Sequence, residues 1–271
     1  MLCGLLAGLM LSVAQAAPQR VASINLCADV LLLNLLPRER IASVSWLAAV
    51  SPLSAVREQA AGISTNHATL EELLLLKPDL VVARRGHAAS VLRQMRSRGV
   101  AVHEIEVAPT LAQAMREWQA LADVLGVSDK AGSLLVRAQQ RLAALPPRAG
   151  KPPTAVIFGP GGYSYGKGSM AHDLLRLAGW DNLAAYVLPG AGGTLPLEAL
   201  VLGQPDLLIH EASEQDRRIN TLGRQIAAHP VLHGRSPAEL TMSSSAWACG
   251  GPEAIEAVEL LAAQRRQAGV P

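Results

Sequence analysis

Residues 71–80 read EELLLLKPDL, and residues 198–207 return to the same pattern, E-x-L-x-L-x-x-P-D-L, as EALVLGQPDL. Each copy runs directly into an apolar stretch of β type, at residues 81–83 in the first copy and at residues 208–209 in the second. A proline cannot continue a helix, so each copy predicts a short helix, a turn and then a strand of a parallel sheet. The repeat therefore predicts an α/β fold with two pseudo-equivalent lobes, each built on a central parallel-type sheet.

A helical pattern lies between the two copies. Ser128 can cap a helix whose apolar residues recur at helical spacing and which ends at the prolines of residues 146–147. We expect residues 128–147 to form one long helix that joins an N-terminal lobe, residues 17–127, to a C-terminal lobe, residues 148–271. Such a rigid connector would limit how far the lobes can open.

The composition excludes several classes of function. The 271 residues are half apolar, and the formal net charge is only +2. A chain of this length can bury a large core, and its field is too weak to require nucleic acid or a membrane surface as partner. We expect a soluble monomer without a nucleic-acid partner.

The N-terminus has the pattern of a signal peptide. Residues 2–13 form a short apolar stretch, and Ala14-Gln15-Ala16 follows as a small-x-small cleavage site, although neither Lys nor Arg precedes the apolar stretch. We predict a cleaved signal peptide over residues 1–16 and a periplasmic protein. A lipid anchor and a buried first element are the alternatives.

Two cysteines remain after this cleavage, Cys27 and Cys249. In an exported protein they can form a disulfide, but the sequence alone does not pair them. Two small buried hydrophobic residues, a disulfide and a pair of soft metal ligands stay open at this point.

Ligands of open parallel sheets bind beyond the carboxyl ends of the strands, so the segments that follow each predicted strand are the candidate binding loops. Aromatic residues make up only 3% of the chain, yet four of them fall in these loops, where ring faces and polar tips suit a broad, partly apolar ligand. Arg84 adds a planar donor for carboxylate, hydroxamate or phosphate oxygens, or else lies at a solvated strand end. The predicted ligand-binding residues are Trp46, Asn66, Arg84, Tyr163, Tyr165 and Trp247.

Three catalytic signatures, H-E-x-x-H, C-x-x-C and the phosphate loop G-x-x-x-x-G-K-[ST], do not occur in the sequence. We therefore predict no catalytic residues, no metal site, no cofactor and no enzymatic activity. A triad assembled from dispersed residues such as Ser45, His210 and Asp29 remains the enzymatic alternative.

The sequence resembles the periplasmic binding proteins for ferric siderophores, haem and cobalamin. Five features carry this resemblance: the exported N-terminus, the strand at residues 20–24, the L-E-x-x-x-x-x-K-P-D-L-V signature at residues 70–81, the connecting helix and the second signature at residues 197–208. The resemblance covers nearly the whole mature chain. It implies two α/β lobes joined by a long helix, with the ligand cleft between them, and a role as the binding component of an ABC importer.

The resemblance also implies a partner. In that family an acidic residue on each lobe pairs with arginines of the membrane permease dimer, and the matching positions here are Glu71 and Glu198. The alternative is that both are first-turn charges favoured by the helix dipole.

The ligand implied by the resemblance is a metal chelate. Arg84 stands where similar cobalamin binders carry an aromatic residue, which favours an anionic ligand such as a ferric siderophore or a carboxylate-bearing tetrapyrrole. A ferric siderophore is the predicted ligand, and cobalamin and haem are the alternatives. A sensor domain is the alternative from another functional class.

Overall fold

The computed structural model describes residues 16–147, 150–211 and 238–267. The first lobe contains the strands β1 (Val21–Ser23), β2 (Ile41–Ser45), β3 (Thr65–Asn66), β4 (Leu80–Arg84) and β5 (Ala101–Ile105). All pairings are parallel, and the spatial order is β3-β2-β1-β4-β5. A 3-10 turn (Arg38–Arg40) precedes β2, and the helices of this lobe are α1 (Leu26–Leu35), α2 (Leu47–Val50), α3 (Arg57–Ala60), α4 (Leu70–Leu76) and α5 (Ala89–Ser97).

The second lobe repeats this architecture. Its strands are β6 (Thr154–Phe158), β7 (Tyr163–Ser164), β8 (Asp181–Asn182), β9 (Gly193–Thr194), β10 (Leu207–Glu211) and β11 (Ala238–Met242). A parallel sheet has the order β11-β10-β6-β8, and β7 and β9 form a small antiparallel ribbon. A 3-10 turn (Pro160–Gly162) precedes β7, and the helices are α8 (Met170–Leu177), α9 (Ala184–Val187), α10 (Leu197–Gly203), α11 (Ser245–Ala248) and α12 (Pro252–Gln267). The predicted fold class, two α/β lobes with parallel sheets, is confirmed.

The repeated sequence pattern forms the same helix-turn-strand unit in both lobes. The helices α4 and α10 have seven residues each and end at a left-handed residue, Lys77 (φ 46°) and Gln204 (φ 40°). The aspartate after each proline then caps the neighbouring strand: the Asp79 carboxylate accepts the backbone N–H of Arg20, and the Asp206 carboxylate accepts that of Thr154, at 3.0 and 2.9 Å. The P-D-L motif thus fixes the entry of the strand that follows against its neighbour in the sheet.

Two helices pass between the lobes. They are α6 (Leu111–Leu125) and α7 (Ser128–Ala143). At the start of α6, Leu111 and Ala114 pack into the apolar core of the second lobe, whereas Leu121 packs into that of the first. In α7 the order is reversed, because Ala131 belongs to the core of the first lobe and Ala138 to that of the second. The lobes are therefore joined by a helical hairpin, and the sequence analysis recognised only its second arm.

The sequence predicts Ser128 as the N-cap of α7, but Ser128 does not cap this helix. It is the first helical residue, and Val127 occupies the cap position without a side-chain hydrogen bond. The Ser128 hydroxyl donates instead to the Asp123 carboxylate in the last turn of α6, at 2.7 Å. The serine thereby fastens the turn between the two helices.

Within the three described ranges, the helices are too short or too polar to cross a bilayer. Residues 1–15 of the predicted signal peptide lie outside these ranges.

Candidate functional site

A disulfide joins the two lobes. It links Cys27, in the first turn of α1, to Cys249, directly after α11, with the two Cα atoms 4.9 Å apart. Each cysteine follows the carboxyl end of a parallel strand, β1 in the first lobe and β11 in the second. The bond therefore holds together the edges of the two sheets at which ligands of such folds bind.

A cavity of about 130 Å³, open to solvent, lies beside this disulfide. The first lobe contributes the residues that follow β1, β4 and β5 and one face of α6, and the second lobe contributes Ala248 and Cys249. The site is thus a cleft between the lobes, and its polar lining comes from Asn25, Arg84, Glu106, Glu117 and Trp118.

Among the described residues, Arg84 is the only cation that lines this cavity. Its guanidinium is exposed and makes neither a hydrogen bond nor an ion pair with the described residues. The neighbouring Arg85 differs, because its Nε lies in ion-pair contact with the Glu106 carboxylate. Glu117 in turn accepts the backbone N–H of Glu106, at 3.1 Å. Both carboxylates of the lining are therefore engaged locally, whereas Arg84 is free to donate to an anionic group.

Trp118 also lines the cavity, although the sequence analysis did not select it as a ligand-binding residue. It lies on α6, is only 3% exposed, and packs into the core of the first lobe. Its indole Nε1 is buried without a hydrogen-bond partner among the described residues. The helical pattern shows only that Trp118 belongs to an apolar face, so no sequence signal distinguishes it from an ordinary core residue.

Three of the predicted aromatic residues form a cluster in the second lobe. The ring of Tyr165 meets that of Tyr163 edge to face, with centroids 5.3 Å apart, and that of Trp247 in the same manner at 5.8 Å. Tyr163 is 44% exposed on the β7–β9 ribbon, where Gly192 leaves room for its hydroxyl. Trp247 is predicted to present a ring face to the ligand, but it is only 5% exposed and belongs to the core of the second lobe. It therefore packs beneath Tyr165.

Tyr165 keeps its proton. Its hydroxyl donates to the Glu211 carboxylate, with both oxygen atoms at 3.0 Å. Burial of the ring, and next the negative charge of Glu211, raise the pKa of Tyr165 above its ordinary value. The pair fixes Tyr165 between Tyr163 and Trp247, where the aromatic cluster offers a ligand a rigid, partly apolar wall.

The remaining aromatic residue, Trp46, lies at the outer rim of the first lobe. It follows β2, is 43% exposed, and stacks on the His67 ring with centroids 5.7 Å apart. His67 is held in turn by Glu72, which contacts His67 Nδ1 at 3.0 Å and accepts its backbone N–H at 2.8 Å. These hydrogen bonds to His67 lower the pKa of Glu72 to about 2. Trp46 thus presents a supported ring face to solvent.

Asn66 is buried inside the first lobe, and its predicted role in ligand binding stays a prediction. Asn66 is fully buried, and its amide nitrogen donates to the Ser23 carbonyl, the Ser43 hydroxyl and the Val44 carbonyl at 2.8–3.0 Å. Its amide oxygen accepts the backbone N–H of Ala68 at 3.0 Å. The side chain is therefore fully used in joining β1, β2 and β3.

The dispersed triad that the sequence left open is not assembled. Asp29 is fully buried and accepts hydrogen bonds from the backbone and the hydroxyl of Ser45 in the first lobe. His210 lies on β10 in the second lobe, where its Nε2 contacts Glu239 at 3.2 Å. Burial raises the pKa of Asp29 to about 6, against the effect of its hydrogen bonds. The pair of Asp29 and Ser45 is a structural contact beneath the loop that carries Trp46.

Glu71 and Glu198 occupy matching positions in the first turns of α4 and α10. Both are exposed, and neither makes a hydrogen bond or an ion pair with the described residues. Glu72 differs, since it forms a capping box with Thr69, as the sequence pattern predicts. Helices of this kind run antiparallel to the strand that follows, so both free glutamates lie toward the carboxyl edges of the sheets, on the side of the cleft.

A metal centre is not formed by the side chains that the structure describes, because three or more His, Cys, Asp or Glu residues do not converge anywhere among them.

Comparison with known proteins assigns a family. The family model described as periplasmic binding protein matches residues 21–234. A cobalamin-binding protein of Halobacterium salinarum is 23% identical over 243 residues, which are 88% of this chain but only 63% of that protein. The chain thus spans less than two thirds of this curated relative.

Solved structures show the same fold. The periplasmic haem-binding protein HutB of Vibrio cholerae has a TM-score of 0.77 at 19% identity, with 91% of this chain and 98% of that chain covered. The periplasmic vitamin B12-binding protein BtuF of Vibrio cholerae has a TM-score of 0.70 at 18% identity, with coverages of 94% and 99%.

Proposed function

The chain belongs to the periplasmic binding protein family, and from this premise we propose that it is the substrate-binding component of an ABC importer for an anionic metal chelate. The observation that carries the ligand class is Arg84, the only cation of the cleft lining and one without a partner among the described residues. Such a guanidinium recognises planar anionic groups through paired hydrogen bonds.

A ferric siderophore fits this arrangement best. Arg84 in the cavity lining offers donors to the carboxylate, hydroxamate or catecholate oxygens of the chelate. The exposed rings of Tyr163 and Trp46 lie outside that lining and would offer apolar contact to the organic part of a chelate that extends beyond the cavity. The siderophore already satisfies its iron, which agrees with the lack of a metal-ligand cluster in the described part of the chain.

Cobalamin is the second candidate, because the curated relative is named a cobalamin-binding protein and a solved relative binds vitamin B12. The peripheral amides of cobalamin are neutral, so its affinity would depend little on Arg84. Haem, the ligand of another solved relative, carries two carboxylates and would depend on Arg84 as a siderophore does.

The test of the ligand class is a titration of the wild type and of Arg84→Ala. Loss of a charged hydrogen bond weakens binding by about tenfold or more, so Arg84→Ala should bind a ferric siderophore or haem at least tenfold more weakly. Arg93→Ala is the matched control, because Arg93 is exposed on α5, outside the cavity lining, and its loss should leave affinity unchanged. Equal affinity of Arg84→Ala and wild type for the bound chelate would remove the argument for an anionic ligand.

Delivery to the permease forms the second part of the proposal. Glu71 and Glu198 are exposed, lack partners among the described residues and recur at equivalent positions, which suits two equivalent basic pockets of a dimeric permease. Each exposed ion pair contributes only about 0–1 kcal/mol, so two of them serve mainly to fix orientation. Glu71→Ala combined with Glu198→Ala should abolish uptake and leave ligand affinity intact, whereas a loss of affinity would place these residues in ligand binding.

Export completes the proposal. Residues 1–16 would direct the chain to the periplasm and be removed after Ala16. Mass spectrometry of the protein recovered from the periplasm should find Ala17 as the first residue, and retention of residues 1–16 would contradict the proposed cleavage.

A further inference from the structure

We propose that Leu75 and Leu202 are the apolar half of the surface that docks on the permease, one leucine beside each docking glutamate. The inference rests on the proposed transport function and assigns residues that the ion-pair account does not use. It defines two equivalent patches, Glu71 with Leu75 on α4 and Glu198 with Leu202 on α10.

Exposure singles out these two leucines. Leu75 is 82% exposed and Leu202 is 84% exposed, more than any other large hydrophobic residue that the structure describes. Neither belongs to an apolar cluster of its lobe, whereas Leu73 and Leu200, two residues earlier in each helix, are buried at 0% and 2%. The core of each lobe is therefore complete without the exposed leucine.

Position links each leucine to a glutamate. Both leucines stand four residues after the docking glutamate, and residues four apart lie on the same face of a helix, one turn from each other. Each patch therefore combines one negative charge and one large apolar side chain on a single helical face.

The patches are held rigidly. Each helix ends at a left-handed residue directly before the P-D-L motif, and the aspartate of that motif is bonded to the neighbouring strand. A single exposed leucine is common on protein surfaces and needs no explanation. The same leucine, highly exposed and at the same offset from an exposed glutamate in both copies of the repeat, does need one.

A two-fold symmetric partner fits these patches. A permease dimer presents two equivalent pockets, and each pocket needs a cation for the glutamate and an apolar depression about one helical turn away for the leucine. The charges alone would give orientation with little affinity, because exposed ion pairs are weak and screened by salt. Burial of a leucine side chain supplies the affinity that does not depend on salt.

The test compares Leu75→Gln combined with Leu202→Gln against wild type for binding to the importer's permease–ATPase complex in nanodiscs. Burial of one leucine corresponds to about a tenfold change in affinity or more, so the double variant should bind roughly a hundredfold more weakly. The deficit should persist at high salt, whereas that of Glu71→Ala combined with Glu198→Ala should shrink. Leu260→Gln on α12 is the matched control, since Leu260 is 46% exposed on a helix outside the patches.

Two results would overturn the inference. If the glutamate variant loses binding and the leucine variant binds like wild type, the leucines have no part in docking and the proposed transport function stands. If neither variant changes binding to the permease, the proposed docking itself fails. Unchanged thermal stability and chelate affinity of the leucine variant would show that any loss arises at the docking surface.

Discussion

Replacement of both Cys27 and Cys249 by serine should lower the free energy of unfolding by about 5 kcal/mol. The disulfide closes a loop of 222 residues, and in the chain-entropy model the cost of closing a loop of this length in the unfolded chain corresponds to about that value at 25 °C. For a protein of this size, such a loss lowers the melting temperature by roughly 10 °C. The bond also spans the two lobes, so its loss removes the only covalent tie between them besides the chain itself in the described part of the protein.

Calorimetry of the oxidised wild type and of the double serine variant measures this effect. Reduction of the wild type by dithiothreitol should reproduce the variant's melting temperature, and the same reagent should leave the variant unchanged. Thiol titration of the unfolded wild type provides the control, because it should find no free thiol before reduction and two after it in the mature chain.

A serine variant that melts within about 2 °C of the oxidised wild type would contradict the predicted stabilisation, provided that thiol titration shows the disulfide in that wild type. Such a result would mean that the unfolded chain gains little freedom when the bond is removed. Free thiols in the native wild type would contradict the bond itself.

Three further predictions concern the interior. The pKa of Asp29 is about 6 in the folded protein and 3.8 as its ordinary value, so between these pH values the folded state binds more protons and stability falls as the pH rises from about 4 to about 6. The free energy of unfolding of wild type relative to Asp29→Asn should thus rise by about 2 kcal/mol as the pH falls from 7 to 4, in urea titrations at each pH. A flat difference would contradict the burial effect. Asn66→Ala should lower the free energy of unfolding by about 2–3 kcal/mol. A variant of unchanged stability that loses ligand affinity would show that Asn66 acts in ligand binding. Gly250→Ala should lower the free energy of unfolding by about 2–4 kcal/mol, because Gly250 has φ +64° and the added Cβ would lie 2.7 Å from Ala114 Cβ. Gly99→Ala is the control, since Gly99 has φ +80° but open space around the added Cβ. This control should lose only about 1 kcal/mol in the same denaturation assay.

The fold was predictable because the deciding signals are local and occur twice. The proline after each short helix ends that helix wherever the chain is placed, and the capping box of Thr69 and Glu72 needs only four consecutive residues. The aspartates of the two P-D-L motifs show what the sequence did not reveal, namely that each one binds the start of a strand from a distant part of the chain.

The site was less predictable because it depends on orientation and on distant contacts. Asn66 ends a strand of only two residues. Side chains alternate between the two faces of a strand, but a strand this short has no alternating pattern that shows which face the Asn66 side chain occupies. Trp118 lies on a helix that packs on both lobes, and helical periodicity does not say which neighbour a residue meets. The disulfide joins residues 222 positions apart, which only the folded chain brings together.

The most direct test of the account is titration of the mature chain, residues 17–271, with ferric hydroxamates, ferric catecholates, haem and cyanocobalamin, followed by absorbance and thermal shift. We expect one of these ligand classes to bind and, at a hundredfold excess over its dissociation constant, to raise the free energy of unfolding by about 2.7 kcal/mol. For a ferric siderophore or haem, Arg84→Ala should weaken that binding while Arg93→Ala should not. Failure of all four classes to bind or to stabilise the folded chain would contradict the proposed metal-chelate function.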